Sequence, residues 1–206
     1  MEYSEVVRRR RMVRNYDPDR PVPAEVVDRL LGYAVRAPSA GFAQGWGFLV
    51  LATADERAAF WAASTPPGMA GSAWSAGMRR APLIVVAHGN RDAYLDRYAE
   101  PDKGWTDRDE GRWPVPYWHI DPGMAGLLML LGAVDEGLGA CFFGIPPDRI
   151  GPYREAFAVP SAFTPVGAIT VGYRAPDRPS PSLRRGRREV PEVVHRGRWG
   201  VRYDPA

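Results

Sequence analysis

The sequence predicts an α/β or α+β domain. Helical and strand periods alternate along the chain, and 45% of its 206 residues are apolar, enough for one substantial core or an intertwined dimer. Neither an internal repeat nor an interdomain linker interrupts the pattern, so 1–206 is expected to be a single domain. The same composition excludes disorder, collagen and coiled coil.

An N-terminal helical segment ends in Arg8 to Arg11, just before a turn rich in Asp and Pro. Val26, Val27, Leu30, Leu31 and Ala34 then follow Pro23 at helical spacing, and Pro38 closes a helix of about 14 residues. Its end delivers Ser39 to Gln44 as a loop. Trp46 to Ala52 reads as a buried strand, and Pro82 to His88 as a second one after an Ala-rich helical stretch. Between Tyr98 and His119 lie three prolines, two glycines and the aromatics Trp105, Trp113, Tyr117 and Trp118 without a sustained period, the mark of a lid or binding loop. Asp121 to Glu136 is apolar almost all round and predicts a helix buried on several sides, most easily at a subunit interface. Ala140 to Ile145 is a strand or turn, Asp148 to Phe157 a short helix, and Thr164 to Tyr173 a strand. From Arg174 onward little could build a core, so 174–206 is expected to be an arm that packs on something else.

Several chemistries are excluded. Lys plus Arg is 27 against 24 Asp plus Glu, but Lys103 is the only lysine, so a lysine-centred chemistry would rest on it alone. The arginine excess matches GC-rich coding; function can lie only in where individual arginines stand. One cysteine, Cys141, excludes a disulfide framework and is expected to be an inert core thiol. A reducing, cytoplasmic setting fits, with no secretory signal behind the N-terminal charges. The longest apolar run, Pro122 to Val134, falls short of the roughly 20 residues of a membrane span. His88, His119 and His195 have no metal-site spacing, so no metal is expected. The Gly-x-Gly at Gly137 to Gly139 lacks its third glycine, and there is no Walker A motif or GxSxG elbow.

A dispersed constellation remains. Arg10, Arg11 and Arg14 could give a phosphate monoester charge-assisted, bidentate hydrogen bonds, or could be a solvated basic face. Ala37 to Trp46 (APSAGFAQGW) joins helix to strand with small residues that let backbone approach a flat ligand. Ser39 can donate or accept there, and Gln44 does both, which suits the edge of a heterocycle. An ordinary Pro-Ser-Gly turn is the alternative. Six arginines between Arg184 and Arg198 raise a third reading, nucleic-acid binding through the tail, against which Glu189 and Glu192 interrupt the run.

The stretch RRRRMVRNYDPDRPVPAEVVDRLLGYAVRAPSAGFAQGWGFLVL resembles the opening of the FMN-dependent nitroreductase superfamily, with its RRS-x-R-x-(F/Y) and APSAxNxQPW pattern. AVDEGLGACFFGIP resembles the family's GLGxxWxG segment, and VGYRAPDRPSPSLRRGRREVPEVVHRGRW its C-terminal arm. The resemblance leaves about 53–116 uncovered. It implies an α+β, three-layer α-β-α sandwich around a central, mostly antiparallel sheet, in an intertwined homodimer with FMN sites at the interface. The 121–136 helix would then lie in that interface, and the arm would wrap the partner.

By position, the resemblance implies that Arg10 and Arg14 hold the FMN phosphate, beside Arg11 and Met12 of the same stretch, with Arg185 or Arg187 completing the pocket. Pro38 and Ser39 would come from the other subunit, with Ala40 and Phe42 of the same loop also binding the cofactor; Gln44 would stand near the flavin ring and Phe143 and Gly144 at its pyrimidine or N5 edge. The implied activity is ping-pong hydride transfer from NAD(P)H through flavin N5 to a nitroaromatic, quinone or enone-like acceptor. No side chain would be essential as acid or base, with His119 a candidate proton donor. A specialised flavin or deazaflavin dehydrogenase or oxidase is the alternative. Three departures bear on this: Met12 for the usual Ser removes a hydroxyl ligand, and Phe42 for Asn with Gly45 for Pro is expected to make the pocket more apolar and roomier.

Overall fold

The computed structural model describes residues 1–177 and 179–203; Arg178 and Asp204 to Ala206, part of the expected arm, lie outside the described residues. Four antiparallel strands make the central sheet: β1 (Trp46–Leu51), β2 (Leu83–Asn90), β3 (Gly139–Phe143) and β4 (Phe163–Gly172), in the order β1-β2-β4-β3. Strand alternation divides the core in two. Leu83 and Val85 of β2, with Ile169 and Val171 of β4, face α2 (Ala24–Ala34) and α6 (Tyr117–Asp135), where Leu30, Ala125, Met129 and Ala133 are buried. Ile84, Val86 and Ala168 face the other way, onto Phe60 and Trp61 of α3 (Ala54–Ser64), Met78 of α4 (Ala73–Met78) and Tyr153 of α7 (Ile150–Ala156). The arrangement is the expected α-β-α sandwich.

The N-terminal helix α1 (Tyr3–Arg9) stops before Arg10, and an extended stretch takes over. Met12 forms a parallel bridge with Ala140, Val13 is fully buried, and Asp17 N–H donates to the Tyr173 carbonyl at 2.9 Å. Residues 12–17 thus close the sheet edge beside β3 and join it to the chain leaving β4.

Three elements differ from the sequence reading. β1 is only half-buried over 46–50, because it is the outer strand rather than an inner one. Between β2 and the lid lies a further helix, α5 (Arg91–Ala99), capped by the Asn90 side chain, which accepts from Asp92 and Ala93 N–H. Helix α6 begins at Tyr117, four residues before Asp121, and carries Pro122 inside it. Pro122 has no N–H for the Trp118 carbonyl a turn earlier; that carbonyl instead abuts Gly89, where any Cβ would collide with it. The lid itself holds only a short 3-10 turn, Glu110–Arg112.

The arm is exposed. Its 3-10 turn (Pro181–Arg185) and α8 (Val190–Val193) bury none of their residues, and Leu183, Val190, Val193 and Trp199 are all open, Trp199 by 90%. Among the described residues no helix is long and apolar enough to cross a membrane.

Candidate functional site

The sequence-predicted site residues fall into two groups at opposite corners of the sheet. Met12 bridges Ala140, whose partner on β4 is Val171. The Ser39–Gln44 loop runs into Trp46, whose partner on β2 is Gly89, itself level with Thr164 on β4. Four strand gaps and seven residues of rise separate Met12 from Trp46, roughly 30 Å by strand spacing and rise. One chain therefore cannot close both groups around one ligand.

At the first corner, Arg14 lines a cleft of about 640 Å³ with Asn15, Trp74, Gly77, Arg80, Pro176, Asp177 and Ser180. The backbone there is zipped to the chain after β4: Arg14 N–H donates to Asp177 Oδ2 at 2.9 Å, and Asn15 Nδ2 to the Pro176 carbonyl at 2.7 Å. Arg14 forms no ion pair among the described residues, its guanidinium reaching only the Met12 carbonyl at 3.3 Å. Arg80 Nε donates to the Tyr16 carbonyl at 2.8 Å. By contrast Arg29, Arg91, Arg97, Arg108 and Arg112 are each engaged by a carboxylate. Gly77 is required where α4 meets this stretch, because a Cβ would collide with the Arg14 carbonyl.

Trp74 continues from this cleft into a smaller apolar one of about 210 Å³ lined by Trp61, Thr65, Phe143 and Gly144. Phe143 stacks on Trp61 at 5.7 Å, with Trp74 edge-on to both rings. No atom lies within 4 Å of the place where a Cβ on Gly144 would stand, so the end of β3 presents bare backbone. The Met12 sulfur is taken up beside it by the Phe142 N–H, at 3.4 Å.

The arginines named from the sequence are not gathered in one place. Arg11, with Arg9, faces Arg174, whose guanidinium is held below its ordinary pKa by burial first and by those two charges second. Neither Arg10 nor Arg185 nor Arg187 lines the cleft, whose wall from the arm ends at Pro181. Arg80, Trp74 and Asp177 went unseen in the sequence; the Arg79-Arg80 pair at the end of α4 was the available signal. Cys141 is buried, and burial pushes its thiol up to about 11.

The second corner holds Ser39 to Gln44, α5, the lid and His119. Ser39 Oγ accepts from Gln44 N–H at 2.8 Å and closes the turn. Gly41, Phe42 and Gln44 have φ of 60°, 57° and 49°, left-handed backbone that Phe and Gln rarely adopt. Gly45 leaves no extra room, contrary to the sequence expectation: the Tyr94 ring fills the space, 2.5 Å from where its Cβ would be. Phe42 is 73% exposed. His119 lines a polar cleft with Arg91, Asp92, Glu110, Ser161 and Thr164. Among the described residues no group of His, Cys, Asp and Glu could hold a metal ion.

The first corner suits a phosphorylated flat ligand such as FMN: two guanidinium groups and a hydroxyl, with the Asp177 carboxylate among them engaged by the Arg14 N–H, an indole face, and the bare backbone of Gly144 in the adjoining cleft. The cleft volume is in the range of small-molecule sites.

Comparison with known proteins bears on the family and the fold. The Nitroreductase family model matches residues 7–173. A curated relative in Methanothermobacter thermautotrophicus, named "Putative NADH dehydrogenase/NAD(P)H nitroreductase", is 27% identical over 203 residues, 97% of this chain and 88% of that protein. A solved "putative nitroreductase in complex with FMN" from Desulfovibrio desulfuricans superposes with a TM-score of 0.70 at 25% identity, over 94% of this chain and 95% of that one. A nitroreductase family protein from Clostridium difficile shares the fold, with a TM-score of 0.69 at 22% identity over 96% and 99% of the two chains. By the extent of the family match and the sandwich on which it falls, this chain belongs to the Nitroreductase family.

Proposed function

We propose that this chain is an FMN-dependent NAD(P)H oxidoreductase, acting as a homodimer on a small flat acceptor of the nitroaromatic, quinone or enone kind. The observation that carries the reading is the Arg14–Arg80 cleft, free of ion pairs to Arg14 among the described residues and sharing Trp74 as a wall with the cleft at the open backbone of Gly144. Arg14 and Arg80 would hold the phosphate by charge-assisted hydrogen bonds, and Phe143 and Gly144 would border the ring. Arg10 and Arg11 would add to the surrounding positive field, and Arg185 or Arg187 would reach a site from the arm.

Ser39, Ala40, Phe42 and Gln44, with Pro38 before them, would complete the site of the partner subunit. The separation of the two corners supports this, as do the exposed apolar residues of the 174–206 arm, which need a surface to cover them. When bound, the flavin supplies hydride transfer between NAD(P)H and the acceptor. The chain's own tasks are to bind, orient and exclude water. His119, on the partner side, would be the candidate to deliver a proton to the acceptor. Anaerobic titration of the FMN-loaded protein with NADH and with NADPH tests the reading: bleaching of the flavin bands by either supports it, and bleaching by neither refutes it.

A further inference from the structure

Asp121 is fully buried on α6, and its Oδ2 accepts two hydrogen bonds, from Ala40 N–H at 2.8 Å and from Tyr94 Oη at 2.8 Å. One residue along the same turn, the Gly41 carbonyl accepts from Arg97 Nε at 2.8 Å. The turn is therefore gripped at two successive residues, once by a carboxylate and once by a guanidinium, from two different helices. Arg97 is itself held by Asp102, whose oxygens accept from Nη1 and Nη2 at 2.7 Å each. Steric contacts tighten the grip: a Cβ on Gly41 would stand 2.6 Å from the Tyr98 ring, and one on Gly45 2.5 Å from that of Tyr94.

What is gripped is strained. Phe42 and Gln44 sit in left-handed backbone, which costs a non-glycine residue free energy and persists where surrounding structure over-determines it. The Phe42 ring in this turn lies outside the chain's own core. A buried carboxylate spent on the backbone two residues before an exposed phenyl group is an unusual use of both residues, the more so as Asp121 Oδ1 is buried with no hydrogen-bond partner.

We propose that Asp121, Tyr94 and Arg97 are positioning residues that lock the Ala40–Gln44 turn so that Phe42 forms a specificity-determining wall for flat aromatic acceptors. The role of Phe42 rests on the flavin reading above; the lock does not. The same helix α5 carries Tyr98, which packs on Trp105 at 4.9 Å and Trp113 at 4.5 Å. The aromatic lid and the turn are thus anchored to one element, and a flat acceptor would meet both.

The test uses the full chain with Asp121→Asn, with Arg97→Gln and with Tyr94→Phe, the last removing one hydroxyl only. In the protein without added flavin, amide hydrogen exchange at 40–44 is expected to quicken at least tenfold in Tyr94→Phe and Asp121→Asn, with Val85 and Val86 protected as before. In the FMN-loaded protein, the KM for nitrofurazone is expected to rise at least fivefold relative to that for ferricyanide, which has no ring to stack. Exchange unchanged in Tyr94→Phe and Asp121→Asn overturns the lock, whatever the flavin does. Faster exchange with the two KM values moving together overturns the specificity role. A wild-type chain that takes up no FMN overturns the flavin reading and Phe42's role with it, while the exchange result still decides the lock.

Discussion

Met12 and Ala140 form a parallel bridge outside the main sheet, and that bridge carries Arg14 to the side of the molecule where β3 ends in Phe143 and Gly144. Segments 128 positions apart in the chain thereby lie side by side. The Val13 N–H, donating to the Ala140 carbonyl at 2.9 Å, fixes the register, and with it which arginine faces the cleft.

Arg14→Ala is expected to weaken FMN binding about 10- to 100-fold, the loss of a charge-assisted hydrogen bond worth about 1.5–3 kcal/mol. Arg57→Ala is the control, since Arg57 donates to the Ala52 and Pro82 carbonyls and does not line the cleft. It should lower Tm and leave the FMN affinity as it is. Flavin fluorescence titration separates the two.

Gly77→Ala should destabilise the fold by about 1–3 kcal/mol, because the added methyl meets the Arg14 carbonyl, which is backbone and cannot swing aside. Its FMN affinity should fall as well, since relief of the clash moves Arg14. Thermal unfolding with and without FMN reads both effects.

His88 is 4% exposed, with Nε2 2.9 Å from Tyr153 Oη, and burial is the main cause that lowers its pKa. The unfolded chain takes up the proton more readily, so the contribution to stability is fully present above about pH 6.5, the unfolded value, and is lost as pH falls through the folded one. His88→Gln should flatten the fall in Tm over that acid range. An identical slope in the variant would contradict the assignment.

Cys141 should resist thiol reagents at neutral pH in the native protein and react at once in guanidinium, because burial raises its pKa to about 11 and shuts out the reagent. Reaction followed by absorbance in both states checks it.

The sandwich was largely legible in the sequence. Leu30 and Ala34 repeat at helical spacing between Pro23 and Pro38, and Leu83 to Ala87 make an unbroken apolar run, so α2 and β2 announce themselves locally. Helix α5 was missed because Arg91, Asp92, Asp96 and Arg97 outweigh its two buried residues, Tyr94 and Leu95, although Asn90 supplies a cap. The start of α6 was placed late because Pro122 reads as a first-turn residue; only the neighbouring Gly89 explains how it sits deeper. At the site, family-like motifs pointed to Arg14, Phe143 and Gly144. Arg80, Trp74 and Asp177 carry no motif: they reach the cleft only through the packing of α4 and of the chain after β4. Nor could spacing reveal that the Ser39–Gln44 loop lies at the opposite corner from Arg14, since that depends on strand order.

The central claim is that each site takes Arg14 from one protomer and the Ser39–Gln44 turn from the other. Mixed dimers test it most directly: an Arg14→Ala chain combined with a chain carrying Ser39→Ala and Gln44→Ala, purified through two different tags. If each lesion alone abolishes turnover, the mixed dimer has one site with both lesions and one with neither, and should recover about half of the wild-type NAD(P)H-dependent activity, by the symmetry of a two-site dimer. A mixed dimer as inactive as its parents would contradict the account.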